Sequence, residues 1–82
     1  MTRDEEILGH MRTEPANVRF ADLRLICERY FGPPRNKGGS HLVFRTPWAG
    51  DPRVNIQNDR GKAKAYQVRQ VLQAIDRLER RR

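Results

Sequence analysis

Hydrophobic positions along this chain change period twice, and each period predicts a different element. Phe20, Leu23, Ile26, Cys27, Tyr30 and Phe31 recur at i, i+3, i+6, i+7, i+10 and i+11, which is one broad apolar face of a helix beginning near Phe20. Gly32 stands where such a helix would be capped, and Pro33–Pro34 forbid its continuation. Ahead of it, Ile7, Leu8 and Met11 share one side of a shorter helical period over residues 4–12. Asp4, Glu5 and Glu6 in its first turn complement the helix dipole, and Pro15 in Thr13–Asn17 breaks it. Between Arg35 and Gln57 the period becomes two. His41–Arg45 and Arg53–Gln57 both alternate, and the turn-rich segment 46–52 between them predicts an antiparallel hairpin. Finally, Val68, Val71, Leu72, Ile75 and Leu78 predict a closing helix, with a frayed Arg80–Arg82 end.

These elements imply an α+β fold in the order helix, helix, two or three antiparallel strands, helix. A first strand within residues 31–37 would carry Pro33 and Pro34 and could only be a short or distorted edge strand. One face of the sheet, with Leu42, Phe44, Val54 and Ile56, should pack under the helices. The other should stay wet, with His41, Val43, Arg45, Arg53, Asn55 and Gln57 on it. The helical aromatics Phe20, Tyr30 and Phe31 are expected in the core.

Length and composition narrow the class. Eighty-two residues, 37 % hydrophobic and 33 % charged, suit one small domain with a modest core. The longest aliphatic or aromatic run is Leu42–Phe44, far short of the roughly 20 residues a membrane span needs, and the acidic N-terminus does not resemble a secretory signal. Cys27 is a lone cysteine, and with His10 and His41 it supplies too few soft ligands for an ordinary zinc site. A reduced, cytoplasmic protein with no cofactor and no metal is expected.

Charge is concentrated. The whole chain carries +7, yet residues 35–69 hold eight basic residues against Asp51 and Asp59, a net of +6. Residues 1–34 hold five arginines against six acids. A basic middle of this kind is the electrostatic footprint of a nucleic-acid binder, the plainer alternatives being a solvated basic surface or an acidic protein partner.

Within that segment, His41 follows Gly38–Gly39–Ser40 and opens a strand on the expected wet face. An imidazole titrates near neutrality, so it could take the proton of a ribose 2′-hydroxyl or give one to a leaving 5′-oxygen. A surface histidine ending a turn is the bland reading. Arg45, Arg53, Arg60, Lys62 and Lys64 could hold phosphates, or simply be solvated. Carboxylates are too scattered for a two-metal nuclease, and Gly38–Gly39 lacks the GK[ST] of a P-loop. Trp48 could stack a base or pack, and His10 has no company that suggests chemistry.

The run Lys37–Gly38–Gly39–Ser40–His41–Leu42–Val43–Phe44–Arg45 with Pro47 resembles the signature of HicA-type toxins, the small mRNA-interferase halves of bacterial toxin–antitoxin pairs. The resemblance extends through Val54–Asn55–Ile56, the Gly61–Lys62–Ala63–Lys64 loop and the closing Tyr66–Leu72 helix, about residues 18–78. It implies a core over residues 17–79 with an α-β-β-β-α fold like a double-stranded RNA-binding domain. Residues 1–16 would be an N-terminal helical extension and 80–82 a basic tail. It implies metal-independent cleavage of mRNA with His41 as the catalytic residue, and a HicB-type antitoxin covering the active face. Lys37, Gly39, Ser40, Arg45, Arg53, Lys62 and Lys64 would bind RNA. The sequence departs from the family at Pro33–Pro34, where its first strand runs, and at Gln57–Asn58–Asp59. A non-catalytic RNA-binding module of the same fold and a small DNA-binding protein are the other readings.

Overall fold

A computed structural model of the chain describes residues 2–36, 41–48 and 53–80. The first helix, α1 (Arg3–Thr13), begins at a capping box. Thr2 Oγ1 accepts from the Glu5 backbone N–H at 3.2 Å, and Glu5 Oε1 accepts from the Thr2 backbone N–H at 3.0 Å. That backbone hydrogen bond, followed by the one from the Thr2 hydroxyl, holds the Glu5 carboxyl below its ordinary range. Pro15 then forces a 3-10 turn over Pro15–Asn17, and α2 (Phe20–Phe31) follows, ending at Gly32 with φ 84°. A left-handed residue there costs glycine nothing and releases the chain from the helix.

β1 (Arg35–Asn36), β2 (His41–Arg45) and β3 (Arg53–Gln57) form an antiparallel sheet in that order. Because β1 is only two residues long, directly after Pro33–Pro34, the sheet is in substance the β2–β3 hairpin. Its register pairs His41 with Gln57, Leu42 with Ile56, Val43 with Asn55, Phe44 with Val54, and Arg45 with Arg53. The closing helix is α3 (Ala65–Arg80).

The core lies between the helices and one face of this sheet. Leu42, Phe44, Val54 and Ile56 meet Leu23, Ile26, Val68, Val71 and Ile75 there, with Met11 fully buried beside them. Burying one such side chain stabilises by about 1.5–3 kcal/mol, so Phe44→Ala should cost about 3–5 kcal/mol once the cavity is counted. Ile7 and Met11 bring α1 into this packing. Exposed ion pairs fasten it further: Arg3 to Asp22 at 3.1 Å, Asp4 to Arg29 at 3.3 Å, and Arg12 to Asp76 at 3.0 Å. The first helix, which the family resemblance implied as an N-terminal extension, packs into the same core.

Val43 and the helical aromatics depart from expectation, and the open question of Trp48 is resolved. Val43 faces away from the helices by alternation but is only 7 % exposed, because it sits at the centre of the sheet with Arg35 and Asn55 opposite it on either side. Phe20, Tyr30 and Phe31 pack against the core's margin, half-buried. Trp48 resolves to packing: it is buried, and the Arg77 guanidinium lies 4.4 Å from its ring centroid. Among the described residues no helix is long and apolar enough to cross a membrane.

Candidate nucleic-acid interface

β2 is the central strand, and His41 opens it. Alternation puts the His41 side chain on the face away from the helices, where it is exposed. Among the described residues it has no side-chain partner. Its cross-strand neighbour Gln57 is held from outside the sheet. The Gln57 backbone N–H donates to Gln67 Oε1 at 2.8 Å, so the first turn of α3 is tied to the strand end opposite His41. Gln67 is 4 % exposed, and its amide Nε2 donates to the Tyr66 hydroxyl at 3.3 Å. A buried amide must find partners for both ends, and this one does.

At the other end of the hairpin, Arg45 and Arg53 stand directly opposite each other. Both are exposed on the wet face. Four residue steps along a strand cover about 13 Å, so the arginine pair is separated from His41 by roughly the rise of four nucleotides. Like charges placed opposite each other cost stability unless an anion or another group compensates them.

Lys62 and Lys64 belong to a third place. The chain leaves β3 one residue beyond Gln57 and makes a tight turn, with Asp59 and Lys62 exchanging backbone hydrogen bonds at 2.9 and 3.0 Å. Arg60 and Gly61 at its tip have φ of 55° and 85°. Asn58 Oδ1 accepts from the Gly61 N–H at 2.6 Å, which stabilises that left-handed geometry. The turn is fixed to the start of α2 by Phe20 N–H to Gly61 O and Ala63 N–H to Val18 O, at 3.0 and 2.9 Å. Arg60, Lys62 and Lys64 consequently line one open cleft just ahead of α3, with Asp59 its one acid among the described residues.

The expected site residues are thus distributed. His41, Arg45 and Arg53 share the wet face of one hairpin, whereas Lys62 and Lys64 flank a neighbouring cleft. Lys37, Gly39 and Ser40 lie outside the described residues. His10 is structural: its Nε2–H donates to the Asn17 carbonyl at 2.6 Å, and Nδ1 lies 3.7 Å from Glu14. Among the described residues, no three His, Cys, Asp or Glu side chains converge as a metal's ligands would. Sequence reasoning missed Gln67, whose only signal was its place one and four residues ahead of the apolar Val68 and Val71 of the helix stripe.

No protein-family model matches the chain, and neither a curated protein nor a solved structure matches it.

Proposed function

We propose that this protein is a metal-independent endoribonuclease, the mRNA-interferase toxin of a bacterial toxin–antitoxin pair, acting in the cytoplasm. The observation that carries this reading is His41, exposed at the head of the central strand on a face whose other exposed members, among the described residues, are Arg35, Arg45, Arg53 and Asn55. The helix–three strands–helix order that follows α1 supports a relation to double-stranded RNA-binding domains, which read A-form shape and phosphates rather than sequence.

In this reading His41 removes the proton from a ribose 2′-hydroxyl. The 2′-oxygen then attacks the adjacent phosphorus, the bond to the 5′-oxygen breaks, and a proton delivered to that oxygen completes the step. The products are a 2′,3′-cyclic phosphate and a 5′-hydroxyl. Arg45 and Arg53 hold flanking phosphates, Lys62 and Lys64 hold the RNA from their own cleft, and Lys37, four residues before the histidine in sequence, adds positive charge. An antitoxin of the HicB type would cover this face with acidic groups and hide His41.

The test is cleavage of an end-labelled structured RNA in EDTA by wild type beside His41→Ala. Cleavage by the wild type alone, leaving cyclic phosphate ends, is the expected result. Equal cleavage by both would overturn the role of His41. A non-catalytic RNA-binding module is the second reading, favoured by one observation: among the described residues nothing orients the His41 ring. Salt-sensitive binding with no cleavage by either protein would select it.

A further inference from the structure

We propose that a second phosphate-binding cleft, between the end of the β2–β3 hairpin and the C-terminal half of α3, carries the same RNA beyond the sheet. This inference rests on the RNA reading above and extends its footprint to residues outside it. Gln70, Gln73, Arg77 and Arg80 fall at i, i+3, i+7 and i+10 of α3, so they form one polar stripe along the helix. Together with Trp48 and Arg53 they line an open cleft that includes no carboxylate among the described residues. Of the two acids of α3, Asp76 binds Arg12 at 3.0 Å and also feels the charge of Arg80, and neither it nor Glu79 lines the cleft.

Two features make this more than a solvated arginine stripe. The Arg77 guanidinium lies 4.4 Å from the Trp48 ring centroid. Cation–π contact through the flat face of a guanidinium fixes the group while its N–H edge remains available for a phosphate. The cleft is also continuous with the wet face of the sheet, because Arg53 both lines it and stands opposite Arg45. Basic groups therefore run from His41 through Arg45 and Arg53 to Arg77 and Arg80. A chain with evenly spaced negative charges fits such a track, and the amides of Gln70 and Gln73 can donate to phosphate or sugar oxygens.

The experiment measures binding of a labelled RNA hairpin across a salt series by fluorescence anisotropy. The parent is the full-length His41→Ala protein, so that cleavage cannot intervene. Arg77→Gln/Arg80→Gln in that background removes two phosphate contacts. Log affinity should then fall less steeply with log salt, by about 1.4 in slope, and Kd should rise roughly 10- to 30-fold near 0.1 M salt. Gln70→Glu/Gln73→Glu keeps both Trp48 and Arg77 in the chain and should also weaken binding by introducing two negative charges, which separates lost affinity from loss of the packed side chains themselves. Both variants binding like their parent would overturn the cleft and leave the RNA reading standing. A parent that binds no RNA would overturn the RNA reading, and this inference with it. Binding of polyglutamate that exceeds RNA binding and is lost in the same variants would assign the cleft to an acidic protein instead.

Discussion

The backbone N–H of Gln57 donates to the buried side-chain oxygen of Gln67 at 2.8 Å, and this single bond joins the strand end opposite His41 to the first turn of α3. A β-strand edge offers unpaired backbone donors, and the amide satisfies one of them where solvent is excluded. The site's geometry and the helix–sheet packing therefore share a residue.

Gln67→Leu keeps the volume and removes the acceptor, so it should destabilise the fold by roughly 1–3 kcal/mol, the cost of leaving a buried donor unsatisfied. Gln67→Glu retains an oxygen for Gln57, and the Tyr66 hydroxyl can turn to donate to it, but it buries a carboxylate with no cation against it and should be at least as destabilising as the leucine at neutral pH. Urea unfolding of the three proteins checks the order. A leucine variant as stable as wild type would show that the bond contributes nothing net.

Most of the fold was legible from periodicity because the elements are amphipathic and sharply punctuated. Phe20–Phe31 ends at Gly32–Pro33–Pro34, and the two strands alternate cleanly on either side of a turn-rich segment. On the site, alternation alone was enough to put His41, Arg45 and Arg53 on one face. What period could not reveal is contact between distant residues. The Arg77–Trp48 stacking and the Gln67–Gln57 bond each depend on how α3 crosses the hairpin. Nor did composition foretell that the Arg60–Gly61 turn is fixed to α2, which carries Lys62 and Lys64 away from the sheet face.

Cys27 is fully buried, and burial, with a smaller contribution from Glu28, pushes its thiol pKa up to about 12. In the unfolded chain the thiol ionises near its ordinary value of about 8.5. A proton is then held more tightly by the folded state between roughly pH 9 and 12, so stability falls as pH rises through that window. Cys27→Ala should show a shallower alkaline loss than wild type. Native Cys27 should also react with a thiol reagent only as fast as the fold opens, and rapid labelling at neutral pH would contradict its burial.

Arg12 and Asp76 join α1 to α3 at 3.0 Å, and the hydrogen bond from Arg12 lowers the Asp76 pKa. A depressed carboxylate contributes stability that is present above its unfolded value of about 4 and is lost as pH falls through the folded value. Both partners are about half exposed, so solvent screening confines the contribution to below about 1 kcal/mol. Asp76→Asn should therefore cost little at pH 7 and less at pH 2, the difference shrinking as Asp76 takes up its proton. Thermal unfolding at the two pH values, at low and high salt, measures this directly.

Arg45 and Arg53 oppose each other across the hairpin on its wet face. Two guanidinium groups in that position repel each other, whereas a phosphate between or beside them would be attracted by both. Arg45→Thr substitutes a good strand former and relieves the like-charge pairing, so stability should rise by about 0.2–1 kcal/mol. RNA affinity should move the other way, with the salt slope falling by about 0.7 for the one lost contact. Opposite signs in the two measurements are the mark of a residue kept for an anionic ligand rather than for the fold. A variant that loses stability while binding RNA as tightly as wild type would assign Arg45 a structural role and remove it from the interface.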